Sequence, residues 1–126
     1  MWIYVQRTGE FHHDGGPLLA TGYSGFGPAK DDPLAQHLPG LGPIPAGAYT
    51  ICSEREDSTC GPVVMPLIPL PGTQTYGRSA FEIHGDSKEH PGAASHGCII
   101  LPRPAREIVS DSPDRLLVVR SGTEIA

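Results

Sequence analysis

Apolar and polar residues along this chain alternate or cluster in short runs, and none of the runs is long. Residues 2–7 mix aromatic, branched and polar side chains in alternation, which predicts a first strand. Residues 18–24 predict a second, with the polar stretch 10–16 as the turn of a hairpin between them. Residues 25–42 hold four Gly and three Pro and predict a long ordered loop. Loops of that length are uncommon in small domains and are often functional. A strand over 48–52 follows, entered through Gly-Pro-Ile-Pro-Ala-Gly at 42–47. Pro43 and Pro45 cannot donate to a sheet ladder, so that entry is expected at an edge or corner.

Residues 63–70 are apolar but interrupted by Pro66 and Pro69, which predicts a poor central strand. Residues 80–84 read better, with Phe81 and Ile83 on one face and Glu82 and His84 on the other. A polar loop over 85–97 leads into a short buried strand at 98–101. The one helix candidate is 104–110, with Pro104 suited to a first helical turn and Ile108 and Val109 toward the core. Residues 111–114 stop it, and 116–119 form a final buried strand. Strands with one short helix, and neither repeat nor linker, predict a single β-rich domain over 1–126.

Composition narrows the function classes. Sixteen Gly and fourteen Pro make up nearly a quarter of the 126 residues, but only 18% are charged and 38% are hydrophobic. That balance favours a folded chain with many tight turns over disorder. No window is free enough of Gly and Pro for a long helix, and no run is apolar enough for a transmembrane helix. A net charge of −5 lacks the electrostatic footprint of a nucleic-acid binder. Neither a basic stretch nor an apolar segment follows Met1, so the expectation is synthesis in the cytoplasm without a signal peptide.

The chemistry concentrates in residues 81–101. Cys98 opens a short apolar strand, so its backbone is held while its sulfur meets a loop. Gly97 before it lets a substrate carbonyl approach closely. The N–H groups of His96, Gly97 and Cys98 are placed to converge as an oxyanion hole. His84, ending a neighbouring strand, is a candidate base for the thiol and acid for a leaving amine. A partnering imidazolium would stabilise the thiolate near neutral pH.

His84-Gly85 followed by Ser95-His96-Gly97-Cys98-Ile99, with fourteen positions from His to Cys, resembles the L,D-transpeptidase family with its YkuD-type catalytic domain. Residues 22–25 and 42–47, the triad Gly77-Arg78-Ser79, residues 83–87 and the pair Pro102-Arg103 are similar to one subgroup. Its members are small L,D-transpeptidase-like toxins delivered by type VI secretion into the periplasm of rival bacteria.

The resemblance implies a small β-sandwich or barrel acting on peptidoglycan stem peptides, either as L,D-carboxypeptidase or by exchanging terminal D-Ala. It implies Cys98 as nucleophile, His84 as base and the Gly85 carbonyl as the group orienting the imidazole. His96 and Gly97 would complete the oxyanion hole, and Ser95 would brace the turn. Many family members carry Arg two residues after the Cys, where this chain has Ile100. Arg78 or Arg103 is then the candidate clamp for a substrate carboxylate, with Ser87 and His90 as further candidate contacts. No metal or cofactor is implied; a cognate immunity protein and delivery proteins are.

Other readings stay open. His84, His90, His96 and Cys98 would supply ligands for a zinc hydrolase, although their spacing follows no known zinc pattern. A catalytically inactive peptidoglycan- or partner-binding module is the non-enzymatic alternative. His12, His13 and Asp14 read as a solvated turn, and His37 as a loop residue. Cys52 and Cys60 bracket a polar turn; they either form a bridge in an oxidising compartment or stay reduced, and Cys98 is free in both cases.

Overall fold

The computed structural model describes residues 1–14, 16–57 and 60–123. Its strands are β1 (Trp2–Val5), β2 (Glu10–His13), β3 (Leu18–Thr21), β4 (Tyr23–Ser24), β5 (Gly47–Ile51), β6 (Arg55–Asp57), β7 (Gly61–Pro69), β8 (Phe81–His84), β9 (Ile99–Ile100) and β10 (Leu116–Arg120). The single α-helix, α1, spans Arg103–Asp111. The sheet runs β3-β2-β1-β10-β5-β7-β8-β9-β4, with β6 paired to β7 off this path.

The two ends of that path are neighbours in the chain. β3 pairs with β2 and β4 with β9, so one extended stretch belongs to both edges and curls the sheet into a nearly closed barrel. The join is at Gly22, whose N–H donates to the Gly9 carbonyl at 2.8 Å. A Cβ on Gly22 would lie 1.8 Å from the Ile100 carbonyl oxygen, so only glycine fits where the edges meet. Tyr4, Phe11, Tyr49, Met65, Ile83, Ile99 and Leu117 fill the interior, and Ala105 and Val109 of α1 close it.

Three of the sequence expectations are corrected. The polar stretch 10–16 contains a strand: Phe11 is fully buried, stacks on Trp2 at 5.8 Å and pulls residues 10–13 into antiparallel pairing with β1. The stretch 18–24 is two strands with different partners, divided at Gly22. All but the last residue of the proline-broken segment 63–70 lies within β7, the longest strand among the described residues, between β5 and β8. Proline lacks a donor but keeps its acceptor, and the Pro66 carbonyl receives the Cys52 N–H at 2.8 Å.

β5 likewise runs inside the sheet, because Pro43 and Pro45 precede it and leave its own donors intact. Helix α1 directs Ala105, Arg106 and Val109 inward, whereas Ile108 is half exposed, contrary to expectation.

Cys52 and Cys60 are both free thiols. Cys52 is bonded level with Pro66, while Cys60 sits six residues earlier, at the start of β7. At about 3.3 Å per residue, that separation is well beyond the roughly 7 Å limit for a bridge. Among the described residues, no helix is long and apolar enough to cross a membrane.

Candidate active site

Strands β8 and β9 are parallel, with Ile83 opposite Ile99 and His84 opposite Ile100. Parallel neighbours need a crossover of a dozen or so residues, and the loop 85–98 is that crossover. It therefore returns the chain to the strand beside His84 and delivers Cys98 at the entrance to β9. Ile83, Ile99 and Leu101 point into the core, so alternation turns Glu82, His84, Cys98 and Ile100 to the other face. Cys98 falls level with Glu82 by continuation of the register. His84 and Cys98 are thus diagonal neighbours, their Cα atoms about 8 Å apart from the strand spacings.

The imidazole is held from behind. His84 is buried, and its Nδ1 lies 2.8 Å from the Gly85 carbonyl oxygen. When Nδ1 carries the proton and donates it to that carbonyl, Nε2 is left as the basic atom. Cys98 is half buried, with Sγ 3.8 Å from the Ala80 carbonyl and a hydrogen bond from the Glu82 backbone N–H. Ala80 itself has φ 61°, uncommon outside glycine, and this turn aims its carbonyl toward the sulfur.

Burial first, with the nearby Glu82 carboxylate and Cys60, pushes the Cys98 thiol up to about 12 against the opposing effects of the Glu82 N–H and Arg78. This direction favours the neutral thiol over the thiolate that the sequence reading pairs with an imidazolium.

A cleft of about 390 Å³ opens over the sulfur, walled by Pro39, Gly40, residues 77–81, His96, Gly97 and Cys98. His84 does not line it. His96 does, with Nδ1 3.0 Å from the Gly40 carbonyl and its ring stacked on Phe26 at 5.0 Å. Ser95 is fully buried: its Oγ accepts from Gly25 N (2.9 Å) and Gly97 N (3.2 Å) and donates to the Cys98 carbonyl (2.6 Å). The Gly97 N–H is thus committed to Ser95, which leaves His96 and Cys98 as the candidate oxyanion donors.

Arg78 forms the floor of the same cleft, and its guanidinium faces the protein. Nη1 donates to the carbonyls of Gln36 (2.5 Å) and Pro43 (2.7 Å), and Nη2 to those of Gly42 (2.9 Å) and His96 (3.4 Å). Gly97 has φ 139°, and a Cβ there would lie 2.4 Å from Arg78 Nη2. Backbone shape and arginine packing together exclude any side chain at 97.

The family model of the Tlde1 domain matches residues 19–116, from β3 through the start of β10 and including His84 and Cys98. The chain belongs to the Tlde1 domain family. This is a family of type VI secretion effectors, L,D-transpeptidase-like, associated with enzymatic activity, delivery into target cells and a cognate immunity protein. No curated protein and no solved structure matches.

Within this Tlde1 domain, several supporting residues were not singled out from sequence. Arg106 is buried, and its Nε donates to the Leu101 carbonyl (3.0 Å) and Nη1 to those of Pro62 (2.7 Å) and Val63 (3.2 Å). A Cβ on Gly85 would lie 2.7 Å from its Nη2, so the peptide that orients His84 rests on this arginine. The Tyr23 hydroxyl donates to Asp86 Oδ1 (2.6 Å) and accepts from Ala94 N (2.9 Å), tying the crossover loop to β4. The available signals were the position of Arg106 beside inward-facing Ala105 and the Tyr at 23 before a buried Ser24.

Other expected contacts stand apart from the cysteine cleft. Arg103 is exposed and pairs with Glu107 at 2.9 Å. Ser87 Oγ accepts the His90 N–H at 2.9 Å, and both residues shape the crossover loop. Among the described residues, no three His, Cys, Asp or Glu side chains gather as a metal site, so His84, His90, His96 and Cys98 do not form one.

Proposed function

We propose that this domain is a cysteine-dependent enzyme acting on the L,D bond of peptidoglycan tetrapeptide stems. The observation that carries the reading is the pairing of β8 with β9. It sets a buried imidazole, held through Nδ1 by the Gly85 carbonyl, on the same face as a thiol at the base of an open cleft.

Burial raises the Cys98 thiol above its ordinary value, which disfavours a standing thiolate near neutral pH. Deprotonation therefore accompanies attack: His84 Nε2 takes the proton as Sγ adds to the carbonyl of the third stem residue. The oxyanion is met by the N–H groups of His96 and Cys98. Collapse expels terminal D-Ala, whose amine receives the proton from His84. The thioester is then resolved by water, giving a tripeptide, or by the amine of a D-amino acid, giving exchange. These steps need no cofactor. Arg78 acts as a positioning residue that fixes the cleft floor.

The product spectrum tests this. Purified tetrapeptide muropeptides incubated with enzyme, with and without a free D-amino acid, are resolved by mass spectrometry. Loss of D-Ala alone or D-amino-acid exchange is expected, and both are expected to vanish in Cys98→Ala with the fold retained. Equal activity in that variant overturns the mechanism, and chelator-sensitive activity with stoichiometric zinc would replace it.

A further inference from the structure

A second cleft, of about 320 Å³, opens at the far end of β9 from Cys98. Tyr23, Asp86, Leu101, Arg103 and Arg106 contribute to its wall. Arg106 is only 7% exposed, and its Nε and Nη1 are committed to backbone carbonyls. Its Nη2 has no acceptor among the described residues and is not sealed from solvent. One amino group of a rigid, buried guanidinium is thus open at the cleft wall.

Arg103 lies three residues earlier on the same helix face and donates Nε to Glu107, with neither Nη group having an acceptor among the described residues. Burial, and then the Arg103 charge, draw the Arg106 guanidinium below its ordinary value. An anion between the two arginines relieves both effects.

The same cleft carries an opposite charge. Asp86 Oδ1 receives Tyr23 OH, Ser87 N and Gly92 N, and Oδ2 receives only Gly92 N at 3.1 Å. Burial favours its neutral form, but these hydrogen bonds, led by that from Tyr23, hold the carboxyl below the ordinary carboxylate range. A ligand here meets two arginines on one side and, on the other, the Asp86 carboxylate, beside which the Lys30 ammonium lies over the Tyr23 ring.

We propose that this second cleft binds an α-amino carboxylate, with its carboxylate on Arg106 Nη2 and the Arg103 guanidinium and its ammonium toward Asp86. Charge-assisted pairing at both ends favours the zwitterion over a bare anion, which gains nothing from Asp86. Two sources share this chemistry: a free amino acid, and the amino-acid end of a diamino-acid side chain within a stem peptide. The site contains neither Cys98 nor His84, so it does not depend on the thiol reaction.

The test is an amide chemical-shift titration of isotope-labelled Cys98→Ser protein with D-alanine, D-lactate, inorganic phosphate and a stem tripeptide ending in a diamino acid. D-Alanine or the tripeptide is expected to shift Tyr23, Gly92 and Leu101 saturably, with D-lactate and phosphate at least tenfold weaker. Tighter binding of the tripeptide identifies the peptide source, and tighter binding of D-alanine the free amino acid.

Arg103→Gln, at an exposed position, is expected to weaken binding at least fivefold with the fold unchanged; Arg106→Lys, which keeps the charge, provides a second weakened variant. Three results overturn the assignment: no saturable shift by either amino-carboxylate ligand, lactate or phosphate binding as well as D-alanine, or full affinity in Arg103→Gln. Binding here without muropeptide turnover in the wild type would count against the thiol mechanism alone.

Discussion

Two buried arginines stand on either side of Cys98 and His84, and they do different jobs. Arg78 lies under the cysteine cleft and binds four carbonyls from the long loop and from His96. Arg106 lies under the histidine side and binds carbonyls of Leu101, Pro62 and Val63. Each presses Nη2 against a glycine, Arg78 against Gly97 and Arg106 against Gly85. Arg78 is fully engaged on both Nη groups and is a pin. Arg106 has no acceptor for Nη2 among the described residues and, in the proposal above, is a pin that also serves as a ligand group. A charge in the interior persists when its donors are satisfied.

Substitution at the two glycines separates the sides most sharply. Gly97→Ala adds strain at φ 139° and a contact with a fixed guanidinium, and is expected to lower kcat by about 100-fold or more, since a displacement near 1 Å at a reacting group has that effect. Gly85→Ala meets only the arginine, and a smaller loss, about tenfold, is expected in the same muropeptide assay. Equal losses would remove the distinction.

Next come the arginines. Arg78→Ala leaves buried carbonyls without charged donors and is expected to destabilise by roughly 3 kcal/mol in denaturant unfolding. Arg78→Lys keeps the charge without the planar fork and should recover only part of that. Arg106→Gln is expected to destabilise similarly but also to shift the pH profile of kcat/KM, because it acts through the carbonyl that orients His84. A pH profile unchanged in Arg106→Gln would reduce this residue to a structural role.

The Tyr23–Asp86 tie has a smaller and pH-dependent effect. The folded pKa of Asp86 lies below its ordinary value near 3.9, so its contribution is complete above about pH 4 and is lost as pH falls through the folded value. Amide exchange at Ser87 and Gly92 should be protected at pH 5–7 and lose protection in acid. Asp86→Asn should show weaker protection at neutral pH and a flatter acid response. Last, Arg103→Ala breaks an exposed i,i+4 pair and is expected to change stability by only about 0.3–0.5 kcal/mol.

The place of the candidate site was more legible in the sequence than the order of the sheet. The runs 80–84 and 98–101 declare a strand-loop-strand unit, and the cysteine and upstream histidine fall at its inner ends. Residues 10–13 did not declare a strand, because only Phe11 is apolar there and its partners, Trp2 and Tyr4, act through pairing that the local pattern does not carry. The prolines in β7 suggested an interrupted strand, although the retained carbonyl of Pro66 still serves the ladder. Arg78 and Arg106 were hidden by residue type: a charged side chain is ordinarily read as exposed, and their partners are backbone carbonyls with no sequence signature. The upward shift of the Cys98 thiol was also illegible, since its largest cause is burial in the folded chain.

The central claim is that Cys98 Sγ carries the acyl group. Intact-protein mass spectrometry within the first turnovers on tetrapeptide muropeptide tests it directly. The account predicts a covalent adduct equal to the substrate less D-Ala, mapped to Cys98, labile to hydroxylamine and absent in Cys98→Ala. Turnover by the wild type with no adduct, together with retained turnover in Cys98→Ala, would contradict it.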